Sequence, residues 1–137
     1  AEQVLNTVEN KLLNKYGLKT LSSDEDGYVD VYEGSAYRRD SSYHQGITWP
    51  WLLGLYYDAL KNTMIIEKNR TKRQELEEKI TKLVYTTKET FKAEMFERSS
   101  IGTISEIYDS TEPYEERGAF AQAWSVAEIF RIVLNKR

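Results

Sequence analysis

The chain contains no cysteine, so neither a disulfide framework nor thiol chemistry is open to it. That fits a reducing compartment, and a cytoplasmic location is expected. Its single histidine, His44, cannot build a metal site without suitable neighbours, and no His/Asp/Glu spacing suggests one. No apolar run approaches the roughly 18–20 residues that a membrane span needs. The net charge is −3 with both signs interspersed; without a basic stripe, nucleic acid is not an expected partner. Glycine-rich dinucleotide and phosphate loops are missing, as is a Gly-x-Ser-x-Gly elbow, so no cofactor is expected. The opening "AEQVLNTVENKLL" is polar, acidic and periodic. It does not resemble a signal peptide and reads as a helix already under way in a longer chain.

What remains is a globular composition over 137 residues, with 40% apolar and 30% charged positions. That length suits one domain or a piece of one. Aromatic residues make up 12%, led by ten tyrosines, and they gather around loops more than on helical stripes. Aromatic loops grip sugars by stacking on a ring face; they are also common in ordinary interfaces.

Four helical segments are predicted. The first spans Glu2–Lys15, with Val4, Leu5, Val8, Leu12 and Leu13 at helical spacing and Gly17 as its C-terminal cap. The second starts near Pro50 and runs to Glu67. The third, Thr71–Glu97, carries the stripe Leu76, Ile80, Leu83, Val84, Phe91 and Met95 on an otherwise charged helix. The fourth, Gly118–Asn135, is apolar nearly all round. It should be deeply buried, and it is more apolar than three neighbours can easily cover. The second and third segments are joined by a short link near Lys68–Arg70. The other two connections, Tyr16–Trp49 and Arg98–Arg117, are long. Short extended pieces are expected in them, for instance at Tyr28–Tyr32. In serially antiparallel helices alternate connections share an end, so both long loops should lie on one face. The fold class is therefore all-α.

"RRDSSYHQGITWPW", from Arg38 to Trp51, concentrates the chain's rarest residues. Arg39, Asp40, Tyr43, His44 and Gln45 can hydrogen-bond vicinal hydroxyls, and Trp49 and Trp51 can stack on a pyranose. Equally, Arg38, Arg39 and Asp40 can pair locally while the tryptophans anchor a helix start. His44 serves either as a general base or only as a hydrogen-bonding group. In the second long loop Ile101, Ile104 and Ile107 bury the segment, and Gly102 permits a bend. Glu106 and Asp109 then sit amid apolar residues, poised as a general acid or base, or else only capping or pairing with Arg117. Glu112, Glu115 and Glu116 read as a solvated charge run. Gln122 and Trp124 lie early in the last helix, where they line the floor of a site or pack in the core, Trp124 against Phe120. No serine is placed on a strained turn beside His44.

"YGLKTLSSDEDGY", "YHQGITWPWLLG" and "GTISEIYDSTEPYEERGAFAQAWSVAEI" together resemble the C-terminal part of glycogen debranching enzymes. The likeness is to the amylo-α-1,6-glucosidase domain of the bacterial and archaeal type. The resemblance implies an (α/α)6 toroid of twelve helices, of which residues 1–137 would be the last four, a single incomplete domain with two long loops on one end. It implies an inverting glycoside hydrolase of glycogen catabolism that removes the α-1,6-linked glucose at a branch, with glycogen or a branched α-glucan as substrate. Glu106 matches the family's general base. Arg39, Asp40, Tyr43, His44, Gln45, Trp49, Trp51, Asp109, Gln122 and Trp124 fall on segments implied to bind sugar or hold the site together. The family's acid is an aspartate on an earlier loop, so the isolated chain is expected to be inactive and to self-associate through exposed apolar surface. Two other readings are a related toroid glycosidase acting on trehalose-like or other small glucosides, and a non-catalytic carbohydrate- or partner-binding module.

Overall fold

Leu53, Tyr56, Tyr57 and Leu60 recur at helical spacing, and all four are buried in a computed structural model of the chain, which describes residues 1–98 and 101–134. They form the inner stripe of a helix spanning Leu52–Ile66. That helix stops where Glu67 turns extended. Asn69 then caps the next one, its side chain accepting from Lys72 N at 3.1 Å. The capped helix, Arg70–Glu97, buries Ile80, Leu83, Thr87, Phe91 and Glu94 along one side. At about 1.5 Å per residue it is the long strut of the molecule, roughly 40 Å.

In chain order the elements are α1 (Glu2–Thr7), continued by a wider π turn over Val8–Leu12; β1 (Leu18–Lys19); α2 (Ala36–Ser42); β2 (Thr48–Trp49); α3 (Leu52–Ile66); α4 (Arg70–Glu97); β3 (Ile107–Tyr108); β4 (Glu116–Arg117); and α5 (Ala123–Leu134). Helices α3, α4 and α5 pack on one another, with α1 against α3. Leu5, Leu53, Leu60, Phe91, Ile129 and Ile132 meet Tyr16 and Tyr108 in the main core. A second small core of Ile47, Trp49 and Ile107 lies under the loops.

The all-α expectation is corrected. Four two-residue strands form an antiparallel sheet in the order β1-β2-β3-β4. Leu18 faces Trp49, Thr48 faces Tyr108, and Tyr108 faces Glu116. The sheet stitches the two long loops together at the end of α3 and α4 opposite their short link. The strands are not at Tyr28–Tyr32, which carries no strand. There the backbone is held singly: Val29 N donates to Gln45 O at 2.6 Å and Tyr32 N to Asp109 Oδ1 at 2.8 Å.

Several boundaries also move. The first helix ends at Leu12, because Leu13 turns extended. Gly17 is not its cap: a Cβ there would stand 2.4 Å from Trp49 O, so glycine is required by the close approach of the β1 and β2 backbones. The first long loop contains α2, capped by Ser35, whose hydroxyl accepts from Arg38 N. The last helix begins at Ala123 rather than Gly118, because the backbones of Ala119 and Gln122 are committed to Glu106 and Ile104. Its expected end at Asn135 lies outside the described residues. Nor is α5 buried all round: Ser125, Ile129 and Ile132 face inward, while Trp124, Phe130 and Leu134 stay exposed. Ile104 and Ile107 bury the second long loop as expected, but Ile101 is 84% exposed. Glu116 is not part of a solvated run. It is half-buried and ion-paired with Arg98 Nε at 3.1 Å.

Candidate functional site

The site grows from the C-terminal end of α2. That short helix delivers Tyr43, and the chain then runs through His44, Gln45 and Gly46 into β2. Tyr43 O accepts from Trp49 Nε1 at 3.2 Å, which folds the segment back on itself. The rings follow. His44 lies nearly parallel to Trp49 with centroids 5.3 Å apart, and Tyr43 stands edge-on to both, at 4.7 and 4.8 Å. From α5, Trp124 stacks on Trp51 at 5.6 Å and meets Trp49 edge-on at 6.2 Å. Trp124 thus packs against the two tryptophans of the first loop, where the sequence suggested Phe120. Phe120 itself is 70% exposed.

Glu106 comes to this cluster from the other long loop. Its Oε1 accepts from the Tyr43 hydroxyl at 2.5 Å and its Oε2 from Ala119 N at 3.0 Å. Its own amide donates to Ala119 O at 2.8 Å, so backbone and side chain are anchored to the same residue. Gly118 makes this possible. It sits at φ 69°, and a Cβ on it would lie 2.5 Å from Glu106 Oε2. Burial, with the Glu106 carboxylate beside it, raises the Tyr43 phenol well above the usual tyrosine range. The hydroxyl therefore stays a proton donor at any ordinary pH.

Tyr43, His44, Trp49, Trp51, Glu106 and Trp124 are brought together. Others are near but differently employed. Arg39 donates to Gly34 O at 2.6 Å, within its own loop. Asp40, His44 and Gln45 are exposed, and Gln122 is half-buried. Asp109 is 3% exposed and fully occupied, one oxygen on Tyr32 N and the other on Arg117 Nε and Nη2 at 3.0 and 2.8 Å. It clamps the first loop to β4 in this arrangement. Among the described residues, no three of His, Asp and Glu converge as they would around a metal ion.

Beneath the rings lies a polar layer that sequence reasoning missed. Thr48 Oγ1 accepts from Asn14 Nδ2 and shares a hydrogen bond with Ser110 Oγ, both at 2.6 Å, and Ser110 Oγ reaches Gly46 O at 2.5 Å. Behind β3, Tyr108 donates to Glu94 Oε1 at 2.9 Å, and Arg98 lies between Glu94, Glu116 and the Tyr16 hydroxyl. Burial first, and then Glu116, push the Glu94 carboxyl up to about 7. Only polar residues at inward helical positions could have signalled this cluster: Glu94 falls three residues after Phe91, on the buried side of α4.

A carboxylate held by two donors beside a wall of aromatic rings, at the one end where both long loops meet, suits the chemistry of sugars. A family model described as amylo-alpha-1,6-glucosidase matches residues 1–131, a span that includes both loops and every ring of the cluster. The chain belongs to the amylo-alpha-1,6-glucosidase family, as a C-terminal domain of the glycogen debranching enzyme kind.

Proposed function

We propose that this domain contributes the water-activating half of an inverting α-1,6-glucosidase acting on the branch-point glucose of glycogen or a related α-glucan. Glu106 is the general base. The observation that carries the reading is the double anchoring of its carboxylate, by Ala119 and by Tyr43, whose ring packs edge-on to His44 and Trp49. An anchored carboxylate loses little entropy when it aligns a water for attack. His44 and Gln45, which follow Tyr43 in the chain, are exposed and serve as hydroxyl contacts, with Trp124 offering a ring face.

Inversion requires a second carboxyl about 6.5–9.5 Å away to protonate the leaving oxygen. In this proposal that acid is an aspartate on an earlier loop of the whole enzyme, within a twelve-helix toroid of which α1, α3, α4 and α5 are four members. The gathering of the loops at one end and the exposed apolar side of α5 support that architecture. The chain alone should then show no turnover of limit dextrin or isomaltose-type substrates. In the whole enzyme, Glu106→Gln keeps shape and removes basicity. It should lower kcat by about 10²–10⁴-fold with a much smaller change in apparent affinity. An unchanged kcat would remove Glu106 from the role.

A further inference from the structure

Glu106 is gripped at each oxygen by a donor from a different segment: Tyr43, at the end of α2, and Ala119, in the run leading to α5. A carboxylate has about four lone-pair positions, so two donors leave roughly half of them to a reacting water. Tyr43 is itself fixed. Its ring is edge-on to His44 and Trp49 and tilted against Tyr32 at 5.6 Å, and its carbonyl holds the Trp49 indole. A phenol whose hydroxyl proton is committed to a carboxylate is poorly placed to donate to a sugar hydroxyl.

We propose that Tyr43 is the positioning residue of Glu106 rather than a sugar contact, its hydroxyl fixing which carboxylate lone pairs face the attacking water. The inference rests on the reading of Glu106 as general base, and it adds a division of labour. The first loop orients the base from one side, and the Gly118–Ala119 turn holds it from the other. The raised Tyr43 phenol keeps this donor in place over the whole working range.

The test uses the whole enzyme. Tyr43→Phe keeps every ring contact and removes the donor. It should lower kcat by roughly tenfold or more, with KM changed less than about threefold. Fluorotyrosine substituted for Tyr43 keeps a hydroxyl donor and should hold kcat close to that of the parent. An unchanged kcat in Tyr43→Phe overturns the proposal, as does a rise in KM at constant kcat, the signature of a sugar contact. If Tyr43→Phe does not fold, 4-fluorophenylalanine, which fills the hydroxyl's place with no proton to donate, makes the same test with the same expected loss. Should Glu106→Gln leave turnover intact, the base assignment fails; should Glu106→Gln lower kcat while Tyr43→Phe does not, the base assignment stands and the positioning role alone is overturned.

Discussion

Replacing Glu94 with glutamine tests the buried cluster behind β3. Glu94 is 4% exposed, bonded by Tyr108, and faces Glu116 and Arg98. Burial, then Glu116, raise its carboxyl from 4.5 to about 7 in the folded chain. In the unfolded chain it ionises near its ordinary value. Below that value it is protonated in both states, and folding bears no cost. As pH rises toward 7, the unfolded chain releases this proton while the folded chain retains it, so stability falls by about 1.4 kcal/mol per pH unit. Once the folded group also ionises, the loss levels off. The full change is roughly 3 kcal/mol from the interval between the two values. Glu94→Gln keeps an oxygen to accept from Tyr108 and has nothing to titrate. Any packing cost it carries is a constant offset. Urea unfolding at a series of pH values between about 4 and 8, followed by far-UV circular dichroism, gives the difference between variant and parent. That difference should shift in favour of the variant by up to about 3 kcal/mol across the range, with other carboxyls cancelling. A difference that stays flat with pH would refute the argument that Glu94 is buried with a proton.

Asp109→Ala leaves Arg117 without its main partner and Tyr32 N without an acceptor. It should cost about 3 kcal/mol in the same unfolding assay, at the lower end for a broken buried pair because Arg117 keeps some solvent access. Gly118→Ala meets both a positive φ and the Glu106 carboxylate. It should cost about 1–2 kcal/mol and depress turnover of the whole enzyme while the helical signal is retained. The exposed side of α4 and α5, with Phe96, Phe130 and Leu134, should make the isolated chain self-associate; sedimentation should show a concentration-dependent species that Phe130→Glu weakens.

The parts of the fold that could be read from the sequence are those with long periods. Helices α3 and α4 carry four or more inward residues each, and their stripes place them to within a few residues. The shared end of the two long loops followed from chain reversal alone. The sheet did not, because strands of two residues cannot display an alternation. Position α5 shows how tertiary bonding overrides local pattern: "GAFAQAW" continues an apolar helix on paper, yet Ala119 and Gln122 give their backbones to the loop. At the site, Glu106 and the rings were visible by residue type. The pairing of Asp109 with Arg117 was one of the two readings its position allowed. The role of Glu94 was not visible, since a carboxylate that holds a proton looks like any other until its partners are known. Tyr43 was visible as a ring, but nothing in its sequence position says that its hydroxyl reaches Glu106 from 63 residues away.

The central claim is that Glu106 activates the water that attacks the sugar from the face opposite the leaving group. Its most direct test is Glu106→Ala in the whole enzyme, assayed on a branched α-glucan with and without sodium azide. Azide needs no base, so it should enter the space left by the carboxylate, restore cleavage, and leave as β-glucosyl azide, the inverted product identified by its anomeric proton signal. Failure of azide to restore cleavage in a folded variant, or an azide product of retained α configuration, would contradict the assignment.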